Sequence, residues 1–362
     1  KGMSIHHWYK IGILNREIAL YKKLIENNIK VTFLTYGNEK DLHFKYELGG
    51  IDILCNKFNL PYRLYKILMP LLHFNSFLSC DIIKTNQMNG SLEALKIAKL
   101  FCKPLICRMG YLFSDFQLRR KGEDSLSYKH ALDLESKTTS KAKINVVTTK
   151  IIKEKLLAKN NKLHHDNIRV IPNYVNETVF KPYENSKRDK IIDILFIGRI
   201  AKQKNIESLL IAVSKLNLKT QIIGSGNLKK SLQNQYTNKN IIWNENIPSY
   251  SLPEIYNSCK VFVLPSHYEG HPKTLIEAMS CGCAVLGANT TGIAEIINHG
   301  QNGMLCKPDS EDISSAIINL LQQPALREKL GFEARKYILR NNSLNKITRL
   351  ERNLYSEILM NN

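Results

Sequence analysis

Short continuous apolar runs alternate along this chain with longer stretches in which apolar residues recur every three or four positions. The runs at 31–36, 51–54, 82–83, 104–107 and 144–147, and then at 191–199, 220–223, 261–265, 284–287 and 303–306, predict strands, and 241–247 predicts a strand and the loop after it. The periodic stretches at 11–27, 206–216, 228–235, 311–321 and 325–360 predict helices, the last interrupted near Asn341 and Asn342. Runs such as VFVLP at 261–265 show no polar alternation, as expected of parallel strands covered on both faces. Strand followed by helix, repeated along the whole length, predicts an α/β protein with mostly parallel sheets.

With 362 residues the chain exceeds what one core of roughly 250–300 residues holds, so two such domains are expected. A polar stretch at 181–190 offers a linker or exposed loop between them. A doubly wound first domain should feed its opening loop from a strand. The expectation is therefore that a strand precedes Lys1, with Gly2, Met3 and Ser4 as the loop after it, the alternative being a terminal tail.

The densest chemistry follows the run at 261–265. Glu269 stands in the turn, Gly270 and Pro272 shape it, and 274–279 begins a helix whose first amides lack intrahelical partners, a setting for a phosphate or a sugar hydroxyl. Glu277 lies eight residues after Glu269, so one carboxylate sits in the loop and the other one to two turns into the helix. The run at 191–199 ends in Gly198-Arg199, and Lys204 follows before the next helix. Taken singly, these are also what a strand-loop-helix unit with surface charges would show. The Gly224-Ser225-Gly226 turn lacks the third glycine and the downstream acid of a dinucleotide fingerprint, which leaves hydride chemistry poorly supported.

Glu269-Gly270-x-Pro272-x4-Glu277-Ala278-Met279-x2-Gly282 resembles the signature of family 4 retaining glycosyltransferases, among the glycosyltransferases group 1, and Gly198-Arg199-x4-Lys204 matches the same family. The resemblance implies the GT-B fold: two Rossmann-like doubly wound parallel-sheet domains facing a cleft. It divides the chain into an acceptor-side domain at 1–175, a nucleotide-sugar domain at 176–340, and a tail at 341–362 whose helix crosses back to the first domain. Residues 168–175 resemble the passage between the two, with Tyr174 where a glycine is usual. The implied donor is a UDP- or GDP-sugar and the implied acceptor a glycan or lipid-linked hydroxyl, with a role in polysaccharide biosynthesis. Glu269 would meet the transferred sugar and Glu277 the ribose, while Gly270, His271, Pro272, Lys273 and Thr274 would line the sugar and distal phosphate. Gly198 would lie beside the diphosphate, with Arg199 and Lys204 holding it. Many relatives carry a histidine after the strand at 104–107, where this chain has Arg108 and Tyr111, so those two and the Gly2-Met3-Ser4 loop are the acceptor or cleft candidates.

Expelling a nucleoside diphosphate develops negative charge that fixed Arg and Lys groups stabilise without proton transfer. No metal and no cofactor is implied, since the sequence shows neither an Asp-x-Asp pair nor a His/carboxylate cluster. Two rivals stay open: a phosphorylase or sugar-nucleotide epimerase on the same fold, and a nonenzymatic binder of acidic polymers.

The formal charge is +20, and residues 1–180 hold 29 basic and 16 acidic positions, so the first half is the more basic. No reading module or aromatic-interleaved basic element points to nucleic acid. Lys137, Lys141 and Lys143, and Lys150, Lys153, Lys155 and Lys159, read as a solvated face, with an anionic membrane surface as the expected partner of the excess charge. The eight cysteines show no Cys-x2-Cys pair and sit mostly in apolar runs, which suits free thiols in a reducing cytoplasm. The apolar segment 67–80 is too short to span a bilayer. The expected location is cytoplasmic, peripheral on the inner face of a membrane.

Overall fold

Two units emerge from the computed structural model, which describes residues 3–183 and 190–360. The first comprises Lys1–His7, Tyr21–Asn173 and Ile347–Asn362; the second comprises Trp8–Leu20 and Tyr174–Lys346. Residues 8–20, assigned in sequence to the first domain, thus fall with the second unit.

In the first unit β1 (Thr32–Leu34) and β2 (Asp52–Leu54) pair in parallel, Phe33 opposite Ile53. A second sheet takes β3 (Ile83–Lys84), β4 (Leu105–Met109), β5 (Ile144–Val147) and β6 (Ile168–Val170) in sequential order, every pair parallel. β4 and β5 are almost wholly buried, because crossover helices cover both faces. Two of those helices start on side-chain caps. Ser125 accepts from Tyr128 N ahead of Leu126–Thr139, and Thr149 accepts from Ile152 N ahead of Lys150–Lys159. The core packs Cys107, Met109 and Val147 against Ile152 and Leu156.

The second unit holds β7 (Ile192–Ile197), β8 (Thr220–Ile223), β9 (Ile241–Asn244), β10 (Cys259–Leu264), β11 (Ala284–Ala288) and β12 (Met304–Cys306). They form one parallel sheet ordered β9-β8-β7-β10-β11-β12. That is the doubly wound, Rossmann-like order, and its direction of winding reverses between β7 and β10. Ligands of such sheets bind outside the carboxyl ends of the strands at that reversal. The core under it is aliphatic and continuous, with Phe196, Phe262, Leu275 and Val285 fully buried.

Several elements differ from the sequence reading. The helix expected at 11–27 is Leu14–Ile25, and a short helix, Ile5–Lys10, precedes it. Gly12 separates the two in left-handed backbone (φ +74°), where a Cβ would come within 2.9 Å of Pro248 Cα. The strand expected to end at 199 stops at Ile197, as the chain turns into a loop. The helical stretch from 325, by contrast, breaks where expected, into Pro324–Asn341 and Leu344–Met360. Within the lysine-rich helix Lys150–Lys159 the solvated face is only partial. Lys153 donates to the His165 and Ile168 carbonyls, and Lys155 and Lys159 both pair with Asp115. All eight cysteines stand as thiols.

Candidate active site

Both loops at the reversal leave buried strands and are tied to each other. After β7 the chain runs through Gly198 and Arg199 into the single turn Lys202–Lys204, closed by Asn205 in left-handed backbone (φ 52°). Asn205 Nδ2 donates to the Pro265 and Pro308 carbonyls, pinning this loop to the end of β10. Gln203 donates to the Tyr268 carbonyl and accepts from His267 N. Across the join, Lys204 Nζ lies 2.5 Å from Glu269 Oε1, with the Glu269 side chain only 8% exposed. Arg199 donates to Gln203 Oε1 at 3.1 Å. The backbone adds a close fit: a Cβ on Gly224, at φ +146°, would stand 1.9 Å from the Gly198 carbonyl oxygen. A Cβ on Gly226 would likewise meet the Ile200 carbonyl. The two glycines let the loop after β8 lie against the loop after β7. Ser266 Oγ, at the start of the β10 loop, is buried with no hydrogen-bond partner among the described residues.

The helix Lys273–Ser280 opens on Pro272, whose missing N–H costs nothing at a helix start. Gly270 precedes it, and its carbonyl packs where a Cβ on Gly292 would come within 2.3 Å. His271 is buried, its Nε2 3.4 Å from Asn342 Nδ2, and the Thr274 carbonyl accepts from Tyr256 Oη.

Lys273 and Glu277, four residues apart and so on one face of this helix, meet the segment Trp8–Leu20. Lys273 Nζ lies 2.6 Å from Glu17 Oε1 and over the Tyr174 ring. Arg16 Nη1 lies 3.3 Å from Glu277 Oε1, and Tyr256 donates to Glu277 Oε2 at 3.1 Å. Glu277, expected to meet a ribose, is 1% exposed and has both carboxylate oxygens engaged. Burial raises its carboxyl above the ordinary value of 4.5, although Arg16, Tyr256 and Lys273 all pull the other way. For Arg16 burial opposes the charge, but Glu277 and Glu17 outweigh it and hold the guanidinium above its usual value.

The acceptor-side candidates lie in the first unit. Arg108, on β4, donates to Asn173 Oδ1 at 2.8 Å and to the Asn86 carbonyl. Tyr111 stacks obliquely on Phe116. Ser4 accepts from His7 N, and the Met3 carbonyl accepts from Tyr36 N. Gly2 lies outside the described residues.

Sequence reasoning missed Arg16, Glu17 and Tyr256 around Glu277, and it missed a buried group in the first unit. Lys84, at the end of β3, is 2.6 Å from Glu351 and donates to Tyr355, both on the helix Leu344–Met360. For Glu351 burial pushes the carboxyl up, but the Lys84 ion pair and hydrogen bond bring it below the ordinary value of 4.5. The apolar stripe of that helix was readable, but partners more than 250 positions away in sequence were not.

Residues 177–337 match the family model described as "Glycosyl transferases group 1". An uncharacterized glycosyltransferase of Methanocaldococcus jannaschii is 29% identical over 93% of this chain and 92% of its own length. The capsular polysaccharide biosynthesis glycosyltransferase CapM of Staphylococcus aureus is 32% identical over 45% of each chain. Among solved structures, Anabaena Alr3699/HepE in complex with UDP-glucose superposes with a TM-score of 0.77 at 14% identity, covering 94% of both chains. The group 1 glycosyltransferase match thus lies on the Rossmann-like second unit, and the likeness along nearly the whole length shows that the chain has the GT-B fold.

Proposed function

We propose that the second unit takes a nucleotide-diphosphate sugar, UDP- or GDP-linked, at the β7/β10 reversal. The chain then transfers the sugar with retention to a hydroxyl of a glycan or lipid-linked acceptor in polysaccharide biosynthesis. The observation that carries this is the Lys204–Glu269 pair joining the two loops at the carboxyl ends of β7 and β10, with Arg199 on the same loop as Lys204. A cation and a carboxylate at one point serve the two ends of the breaking bond. Lys204 and Arg199 stabilise the charge gathering on the expelled diphosphate, and Glu269 orients the sugar as it gains positive character. Retention follows if attack occurs on the face the diphosphate leaves, a donor phosphate oxygen accepting the proton of the incoming hydroxyl. The two cations supply the charge a divalent ion would otherwise bring, so turnover should survive chelation.

Glu277 is proposed for the ribose hydroxyls. Arg16 and Tyr256 leave lone pairs free on the carboxylate, but Glu277 is buried beneath them, so a ribose reaches it only if one partner moves aside. The names of the similar proteins agree with this reading: CapM is named for capsular polysaccharide biosynthesis, and the Anabaena structure holds UDP-glucose. The charge excess of residues 1–180 supports a placement of the cytoplasmic chain against the anionic inner face of a membrane.

A thermal-shift series with UDP, GDP and their sugar conjugates tests the donor half. A ligand at about 100 times its dissociation constant adds about 2.7 kcal/mol of stability. No shift with any nucleoside diphosphate would overturn the reading. Release of free sugar phosphate only when inorganic phosphate is supplied would point to a phosphorylase instead. The configuration at the new anomeric carbon decides retention.

A further inference from the structure

In the first unit the helices Tyr62–Leu72 and Phe74–Ser79 bury Tyr65, Met69 and Phe77 against Ile97. A surface helix buried on one side ordinarily turns polar residues outward. These two turn outward Leu64, Ile67, Leu71, Phe74 and Leu78, with Ile67 and Leu71 each 72% exposed. Positions 67, 71, 74 and 78 are spaced four, three and four, the interval of one helical stripe, and although the chain bends at His73 all four remain exposed. The patch continues on both sides. Phe58 is exposed just before the first helix, and Leu100 is exposed next to Phe101, whose ring lies 5.4 Å from that of Phe74.

The same elements are basic. Lys57, Arg63, Lys96 and Lys99 are exposed, whereas the acids between residues 57 and 103 are Asp81 and Glu93, the latter paired with Lys66. No described helix is long and apolar enough to cross a membrane. A stripe of Ile, Leu and Phe flanked by Lys and Arg, on helices too short to span, has the chemistry of a surface that lies in the headgroup region of an anionic bilayer. We propose that this face, built on residues 58–78 and the end of the helix Ser91–Leu100, docks the chain on anionic lipid. The proposal deepens the membrane placement given above and rests on it, but it is independent of the donor chemistry.

The test uses the full chain and vesicles of phosphatidylcholine with and without phosphatidylglycerol. The expected result is sedimentation with the anionic vesicles, weakened by salt. In the double variant Ile67→Ser, Leu71→Ser, partition should fall by about 10–100-fold, since two aliphatic side chains no longer enter the interface. Serine adds no charge, so a loss reports on apolar insertion and not on repulsion. Both positions are exposed, so nucleoside diphosphate binding and thermal stability should match the parent, and these serve as the control for folding.

Three outcomes overturn the proposal. If the parent ignores anionic vesicles, the membrane placement fails with it. If parent and variant bind anionic vesicles equally, the placement stands and this face is wrong. If the parent is a dimer that the double variant dissolves, the patch covers a second copy of the chain. Diphosphate binding, measured on the same samples, reports separately on the donor reading.

Discussion

Arg16→Met removes a charge while nearly keeping the volume, and leaves Glu277 buried with Tyr256 as its remaining hydrogen-bond donor among the contacts described. At 3.3 Å and an effective dielectric of 20, the lost attraction is about 5 kcal/mol. Breaking a buried pair typically costs about 3–5 kcal/mol, and Arg16 is one-fifth exposed, which places the expectation toward the lower end, about 2–4 kcal/mol. A second limit agrees: rather than stay charged, Glu277 can take a proton, and protonating an ordinary carboxyl at pH 7 costs about 3–4 kcal/mol.

The sign with pH follows from the direction of the shift. Burial already raises the Glu277 carboxyl above 4.5 in the folded chain, and losing Arg16 raises it further. A raised carboxyl contributes its full stability below the unfolded value and loses it as pH rises through the folded value. The destabilisation of Arg16→Met should therefore be small near pH 4 and grow toward pH 8. Urea unfolding at a series of pH values measures it. The double variant Arg16→Met, Glu277→Gln should recover most of the loss at neutral pH, because the stranded charge is gone. A destabilisation that is flat from pH 4.5 to 8, or below about 1 kcal/mol throughout, would refute the view that Arg16 neutralises a buried charge.

The remaining expectations concern both units. Arg199→Ala and Lys204→Ala should each lower turnover by about 10²–10³-fold, and normal turnover in both would end the diphosphate assignment. Glu277→Gln should weaken nucleoside diphosphate binding by about 1.5–3 kcal/mol, while Glu269→Gln should leave that affinity near the parent's and lower turnover, which titration calorimetry and rate assays separate. Gly224→Ala should destabilise by at least about 2 kcal/mol in urea, since its methyl would overlap the Gly198 carbonyl in backbone that side chains rarely adopt. Glu351 is held below 4.5 by Lys84, so its contribution is present above that value and vanishes as pH falls through its folded value. Glu351→Gln should flatten the loss of stability on acidification while costing about 3–5 kcal/mol at pH 7, read by pH-dependent unfolding.

Much of the fold was legible because buried parallel strands are written as unbroken apolar runs. β7, β10 and β11 are such runs, and the loops that follow β7 and β10 carry the charged motifs. The order of strands was not legible, since nothing in β7 or β10 alone says that they are neighbours; that comes from how the crossovers pack. The Ile5–Lys10 helix was missed because six residues carry too little periodicity. The outward apolar stripe at 67–78 was noticed as a run too short to span, but its exposure could not be foreseen, because exposure depends on the faces that Tyr65 and Met69 fill.

The eight-residue spacing of Glu269 and Glu277 was the most informative pattern, and the structure gives it a physical sense that the letters do not. Glu269 precedes the helix Lys273–Ser280 and turns to Lys204 after β7, whereas Glu277 lies one turn inside it and turns to Arg16. The spacing thus delivers two carboxylates to cations on two different elements, and Lys273, one turn before Glu277, meets Glu17 on the same segment as Arg16. Of the cations around these loops, Lys204, Arg16 and Lys273 are each matched by a carboxylate. Arg199 instead contacts the neutral Gln203. An arriving diphosphate would have to compete with Glu269 for Lys204 but with only an amide for Arg199, and a carboxylate is the stronger rival for a cation. On the proposed function, Arg199 would then be more open than Lys204 to the diphosphate at first contact. Lys204, on the same proposal, would contribute most once charge accumulates on the leaving group and the sugar has drawn Glu269 toward itself.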